Sequence, residues 1–366
     1  MTKKRIVVKI GSSSLTNERG AIDEAKLTDH VRALAHLKKA NHEVVLVSSG
    51  AVASGFARLG YASRPETLKG KQAAAAIGQS LLIQSYIEKF SEFGIIPAQI
   101  LLTRGDFADK ERYGNAFRTI SELLARNILP IINENDTVVI DELTFGDNDM
   151  LSALVSGFIH ADELIILTDV NGIYDKNPKL HANAQKISNL NVITDQMILS
   201  TESSGSNVGT GGMKSKLVAA KRALSLGTSV FIGVGTGDNK LIDILKGQGD
   251  GTYITGDSVR AINTNRQWIA LHSESAGKLY IDSGAETAII ESGCSLLPVG
   301  ITKVEGQFQK GDVVEVYGKN SRLGKGEVSY SAEEVRNEII RHKQESKSGN
   351  YIPAVEVIHR NRWIEI

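Results

Sequence analysis

Six short apolar runs are spaced along the first 233 residues, with segments of helical period between them. They read RIVVKI (5–10), EVVLVSSG (43–50), IIPAQILL (95–102), ILPIIN (128–133), ELIILTD (163–169) and SVFIG (229–233). A strand without polar alternation is buried on both faces, and parallel strands need a long, usually helical, crossover between them. Helical patterns at Glu24–Ala40, Lys71–Phe90, 114–127, 149–160 and 213–226 supply such crossovers. The spacing therefore predicts an α/β fold, a three-layer αβα sandwich with a mostly parallel central sheet. TVVIDELTFGD (137–147), flanked by polar turns, reads as a local hairpin.

From about Ser258 the pattern changes to short strand-like pieces, among them WIALH, GKLYID, DVVEVYG, GEVSYS and VEVIHR, with helical segments only near 284–293 and 332–343. The division expected is 1–257 for the α/β domain, 258–273 for a linker and 274–366 for a small β-rich domain.

Of the 366 residues 41% are hydrophobic and 23% charged, as in an ordinary globular chain. Lys plus Arg equals Asp plus Glu at 42 each, so no overall field points to nucleic acid or an anionic membrane. A single cysteine, Cys294, excludes an intrachain disulfide framework; beside Ser295 and two leucines it reads as a buried small hydrophobe. The eight histidines show no metal-ligand spacing. The opening apolar run is too short for a secretory signal, and no run reaches the length of a membrane span, so a cytoplasmic protein is expected.

Short carboxylates and carboxamides come in two bursts, Asn133–Asp136 and Asp147–Asp149. Such residues serve turns, or they line a site for something small and polar. Three loops follow predicted strands. VKIGSSSL sets Lys9 and Gly11 beside three serines, VSSGAVASG sets Ser49 and Gly50 before a helix-compatible stretch, and NVGTGGMKSKL opens a helix with Lys214 and Lys216 in its first turns. Glycines allow close backbone approach to a ligand, and helix N-termini favour anions. Cations in a first helical turn are locally unfavourable, and a bound polyanion would reverse that. The chain has neither a Walker A match nor a clean G-x-G-x-x-G after the first strand. Two lysine-bearing loops with acids and amides between them suggest phosphoryl transfer.

VVKIGSSSL, VSSGAVASG, NENDTV, FGDNDMLSALV, LTDVNGIYDKNP and GTGGMKSKL, in this order, resemble the amino-acid kinase family and, within it, the glutamate 5-kinases. GKLYIDSGAETAIIESGCSLLPVGITKVEGQFQKGDVVEV looks like the start of the PUA domain that bacterial members often append. The resemblance implies ATP and Mg²⁺ as cofactors and L-glutamate as substrate. Lys9 and Lys216 would flank the transferred group, with Asp149 orienting both. Glutamate would be held by Ser49, Gly50, Asn133, Asp136 and Asn148, with 137–147 as a lid or wall. The nucleotide would meet Lys9, Gly11, Thr168, Asp169, Tyr174, Thr210, Gly211, Gly212, Met213, Lys214, Ser215 and Lys216; Lys214 stands where the family often has a small polar residue. No protein ligand of Mg²⁺ follows from the match. The family further implies feedback inhibition by proline, a homodimer or homotetramer, and functional coupling to glutamyl phosphate reductase. Aspartate, acetylglutamate, carbamate and UMP kinases share the nucleotide loops, but a PUA-like tail is not usual for them. PUA domains commonly bind RNA; against that, residues 268–366 hold 12 Lys plus Arg and 14 Asp plus Glu, a net of −2 rather than a basic footprint.

Overall fold

The computed structural model describes residues 2–17, 21–138, 148–176, 178, 180–181, 183–201, 212–256, 268–269, 275–319, 321–345 and 356–365. The expected hairpin at 137–147 and the expected linker fall almost wholly outside these residues. The contacts divide the chain into two compact units, Met1–Asp106 with Gly114–Ala261, and Phe107–Tyr113 with Ile262–Ile366.

The first unit is built on strands β1 (Arg5–Ile10), β2 (Glu43–Ser48), β3 (Pro97–Leu102), β4 (Leu129–Glu134), β5 (Glu163–Leu167), β8 (Asn189–Leu190), β9 (Ser229–Gly233) and β10 (Gly251–Ile254). They form one eight-stranded sheet in the order β3-β4-β2-β1-β5-β9-β10-β8, and only the β9–β10 pair is antiparallel. A small ribbon pairs β6 (Ile173–Tyr174) with β7 (Lys186–Ile187). The helices are α1 (Glu24–Lys39), α2 (Ala51–Gly55), α3 (Leu68–Ser91), α6 (Asn148–Phe158), α7 (Asp195–Ser200), α8 (Met213–Ser225) and α9 (Lys240–Leu245), while α4 (Arg104–Ala108) and α5 (Lys110–Ala125) each contain residues of both units.

Side chains of a strand alternate between its faces, so each central strand feeds two cores. Ile6, Val8 and Ile10 of β1, Val44 and Leu46 of β2, and Leu129 and Ile131 of β4 join one cluster with α1, α3 and α9, through residues such as Leu34, Tyr86, Phe90 and Ile244. The intervening Val7, Val45, Val47, Ile132, Leu164 and Ile166 are equally buried. They belong to the opposite face, which α6 covers together with the helix packed against it, α8. This is the expected three-layer arrangement.

The second unit holds a five-stranded sheet of β11 (Gly277–Ile281), β12 (Ile301–Gly306), β13 (Val313–Tyr317), β14 (Arg322–Val328) and β15 (Ile358–Glu365), in the order β12-β11-β13-β14-β15. Helices Ser283–Ile290 and Ala332–Glu345 accompany a separate core around Leu279, Phe308, Val316 and Val335. Within this unit the buried carboxylate of Glu327 accepts from Lys110 at 2.5 Å and from Arg362 at 3.1 Å. The expectation for Cys294 is corrected: its side chain is exposed, because it sits in the turn after helix Ser283–Ile290 instead of under it.

Candidate active site

Strand periodicity decides where Lys9 points. With Ile6, Val8 and Ile10 committed to the α1/α3 layer, Val7 and Lys9 face α6 and α8. Lys9 lies near the C-terminal end of the strand, only 4% exposed. Its Nζ stands 2.5 Å from Oδ1 of Asp149, the second residue of α6. Lys216, in the first turns of α8, reaches the other oxygen, Oδ2, at 3.0 Å. Ser215 also donates to Oδ2 at 3.0 Å. Burial pushes the Asp149 carboxyl up, but the Lys9 and Lys216 ammonium groups outweigh it and hold the group below the usual carboxylate range. Asp149 is thus an ionised spacer between two cations; both its oxygens are engaged, so it is no proton acceptor. The cluster keeps a net positive charge in a buried setting, where it attracts an anion strongly.

On the other side of the sheet edge lies a chain of amides. Ser48 and Asn133 have the parity of Leu46 and Ile131 and so lean toward α3. Asn148 Nδ2 donates to the Ser48 carbonyl at 2.7 Å and to Asn133 Oδ1 at 2.7 Å. The Glu134 N–H donates to the same Oδ1 at 2.9 Å, and Asn133 Nδ2 donates to Gln79 Oε1 at 2.6 Å. Ser48 Oγ lies 3.0 Å from the Tyr86 hydroxyl. Two residues past β4, burial pushes the Asp136 carboxyl up to about 6, with Arg64 opposing the shift.

Ser49 and Gly50 form the turn between β2 and α2. The Ser49 N–H donates to the Ile10 carbonyl at 3.1 Å, and Gly50 takes φ +112°, a conformation that side chains disfavour. Helix α2 is pressed onto α3. A Cβ on Gly55 would fall 1.9 Å from the Ala74 carbonyl oxygen, and one on Gly78 would fall 1.8 Å from that of Ala51.

The loop expected to meet the nucleotide follows β5, the neighbour of β1. The Thr168 N–H donates to the Gly233 carbonyl at 3.0 Å and its hydroxyl to Asp169 at 3.1 Å, while the Tyr174 hydroxyl donates to Asn171 at 2.7 Å. A Cβ on Gly11 would sit 3.6 Å from Lys9 Nζ, so that glycine lies over the ammonium group. Gly212 caps α8, followed by half-buried Met213 and exposed Lys214. Thr210 and Gly211 lie outside the described residues. Lys9, Asp149, Ser215 and Lys216 are therefore joined directly, as are Asn133 and Asn148; Thr168, Asp169 and Tyr174 make contacts within their own loop and with Gly233. Gln79 and Tyr86 were not expected from the sequence. Gly78 carried the signal, since a glycine inside a long helix usually marks a close approach.

The model of the amino acid kinase family matches residues 4–233, and that of the PUA domain residues 277–347. The chain belongs to the amino acid kinase family. Glutamate 5-kinase 1 of Bacillus licheniformis is 61% identical over 366 residues, with both chains fully covered. Glutamate 5-kinase of Oceanobacillus iheyensis is 58% identical over all of this chain and 98% of its own. Glutamate 5-kinase 1 of Bacillus subtilis is 56% identical over the whole of both. Among solved structures, a carbamate kinase from Giardia lamblia bound to AMP-PNP superposes with a TM-score of 0.50 at 18% identity, over 70% of this chain and 99% of its own. At that identity the likeness is one of fold. Family membership agrees with the expected parallel sheet and β-rich tail. No helix among the described residues is long and apolar enough to cross a membrane.

Proposed function

We propose that the chain transfers the γ-phosphoryl group of ATP to the side-chain carboxylate of L-glutamate, giving L-glutamyl 5-phosphate, the opening step of proline biosynthesis. The observation that carries this reading is the Lys9–Asp149–Lys216 cluster at the same sheet edge as the Asn133–Asn148 amides. Full-length identity of 56–61% to glutamate 5-kinases selects glutamate among the acceptors of the family.

The acceptor carboxylate, with an ordinary pKa of about 4.3, is already ionised at neutral pH. A carboxylate oxygen attacks the γ-phosphorus, the bond from phosphorus to the bridging oxygen breaks, and ADP leaves with the electron pair. No proton moves, which suits a site whose central carboxylate cannot accept one. The two ammonium groups offset the repulsion between an anionic acceptor and a polyanionic donor and stabilise the charge on the group in flight. The described residues contain no group of three or more His, Cys, Asp or Glu suited to a metal, and Asp149 is committed to lysines. Mg²⁺ would enter with ATP as part of the MgATP substrate and would offset phosphate charge there. Asp136 supplies a negative acceptor for the α-ammonium, and the turn Ser49–Gly50 supplies the Ser49 hydroxyl and the Gly50 N–H for a carboxylate, the Ser49 N–H being held by the Ile10 carbonyl. Thr168, Asp169, Tyr174 and the segment Thr210–Lys216 take the nucleotide.

A hydroxylamine trap tests this directly, because acyl phosphates yield a hydroxamate that colours with iron. With MgATP, signal is expected from glutamate but not from aspartate or N-acetylglutamate, and none in Lys216→Ala or Asp149→Ala. Signal from another acid alone would refute the substrate assignment. Inhibition by proline, a homodimer or homotetramer, and coupling to glutamyl phosphate reductase complete the proposal. Millimolar proline should lower the glutamate-dependent rate; an unchanged rate would remove the first of these.

A further inference from the structure

The amide chain at the sheet edge has a direction, and two backbone groups fix it. The Ser48 carbonyl can only accept, so the Asn148 group facing it is Nδ2. The Glu134 N–H can only donate, so the Asn133 group facing it is Oδ1. Asn148 Nδ2 on Asn133 Oδ1 agrees with both anchors. Asn133 therefore turns Nδ2 toward α3, and Gln79 must answer with Oε1, at 2.6 Å. No alternative flip satisfies all four contacts. Gln79 Nε2, the donor end, is left over. It has no hydrogen-bond partner among the described residues and is not sealed from solvent.

The place of that donor is equally constrained. Gly78, the preceding residue, is packed against the Ala51 carbonyl, which follows Gly50 at the start of α2, so this part of α3 is held close to that helix. Tyr86, seven residues on and on the same helical face, reaches Ser48. Gln79 is two amide links from Asn148, which adjoins Asp149 in the chain. It thus stands on the α3 face of the sheet, opposite the face that carries Lys9, with two amides between it and the neighbour of Asp149. Asn133 and Asn148 are 3% and 6% exposed, so the donor rests on a buried and rigid support.

We infer that Gln79 is a specificity-determining residue whose Nε2 donates to the α-carboxylate of the bound amino acid. The inference rests on the proposed reading of the pocket as an amino-acid site and adds a residue to it. A donor held by Asn133 selects an acceptor substrate with an anionic group at that end and disfavours ligands that offer an amide N–H₂ or an apolar group there.

The variant Gln79→Glu separates this role from a structural one. A carboxylate at 79 still accepts from Asn133 Nδ2, so the amide chain keeps its direction, but the outward donor becomes an anion. The KM for glutamate should rise about tenfold to a hundredfold or more, the range for a hydrogen bond to a charged group, with the KM for ATP unchanged. Gln79→Ala should raise the glutamate KM as well and lower the melting temperature, since Asn133 loses its acceptor. A Gln79→Glu enzyme with the wild-type KM for glutamate would overturn the inference. The wild-type enzyme measured alongside keeps the two questions apart. Failure to turn over glutamate would refute the proposed function, whereas equal constants in wild type and Gln79→Glu would refute only the role of Gln79. Raised KM values for glutamate and ATP together would also overturn it, by showing a general disturbance of the site.

Discussion

Asp149→Asn keeps the shape of the side chain and removes its charge. In the wild type the carboxylate meets ammonium groups at 2.5 Å and 3.0 Å. At an effective dielectric constant of about 20 each contact represents roughly 5–7 kcal/mol of attraction. Much of that is offset by the several kcal/mol that burying each of the three charges costs. The variant retains the burial cost of two lysines and loses the attraction that offset it, the situation in which a broken buried pair costs about 3–5 kcal/mol. The melting temperature should fall clearly. The loss is conditional, because the polyphosphate of ATP brings negative charge back to the same ammonium groups. Saturating ATP should therefore raise the melting temperature of Asp149→Asn by more than that of the wild type. Turnover should still fall about a hundredfold to a thousandfold, the usual effect of misplacing one fixed charge-stabilising donor. Thermal unfolding with and without MgATP, alongside hydroxamate kinetics, gives all three quantities. Equal melting temperatures, equal shifts with ATP, or turnover within about threefold of wild type would refute the view of Asp149 as the spacer that keeps two cations in place.

Asp136, pushed up to about 6 by burial, should make the KM for glutamate climb about tenfold per pH unit below that value, and Asp136→Asn should abolish the dependence while raising the KM at pH 7.5. The folded chain holds this proton where the unfolded chain has released it, so between about pH 4 and 6 this group makes stability fall as pH rises, and chemical unfolding of wild type against Asp136→Asn should show it. His30 accounts for an opposite slope. Burial, aided by Lys240, lowers it to about 4 while its ring nitrogen sits 3.1 Å from the Ser14 carbonyl, so stability falls as pH drops from about 6.5 toward 4, and His30→Gln should flatten that slope. Gly78→Ala would place a Cβ 1.8 Å from the Ala51 carbonyl oxygen; α2 and α3 must part, with an expected loss of about 1–3 kcal/mol and a raised KM for glutamate, and wild-type stability would show that the contact is soft.

The central strands of the main sheet were legible because they are buried on both faces, which leaves them as apolar runs; β1 and β9 fall where the runs lie. Helices α4, α7 and α9 and strand β10 span only four to six residues, too few for a period to show, and they owe their form to tertiary packing. Lys9 and Lys216 stood out because each breaks a local rule, a cation inside an apolar strand and one in the first turns of a helix. Gln79 broke none. A glutamine in an alanine-rich helix reads as a solvated position, and only the hydrogen bond from Asn133 shows its use. The exposure of Cys294 was misjudged because its neighbours are apolar in composition, while burial there is set by the turn in which it sits.

The alternation of side chains along β1, β2 and β4 has a consequence for redesign. Lys9 leans to one side of the sheet with Asp149 and Lys216, whereas Ser48 and Asn133 lean to the other with Tyr86 and Gln79. On the proposed reading, the α3 side of the acceptor pocket and the cation cluster thus hang from separate helical layers and meet along one rim, where Asn148 of α6 joins Asn133 beside Asp149. Changes on α3 can alter which acid is accepted without entering the packing that aligns the cations. The rim is a natural seam along which one scaffold can exchange acceptors and keep its phosphoryl-transfer machinery.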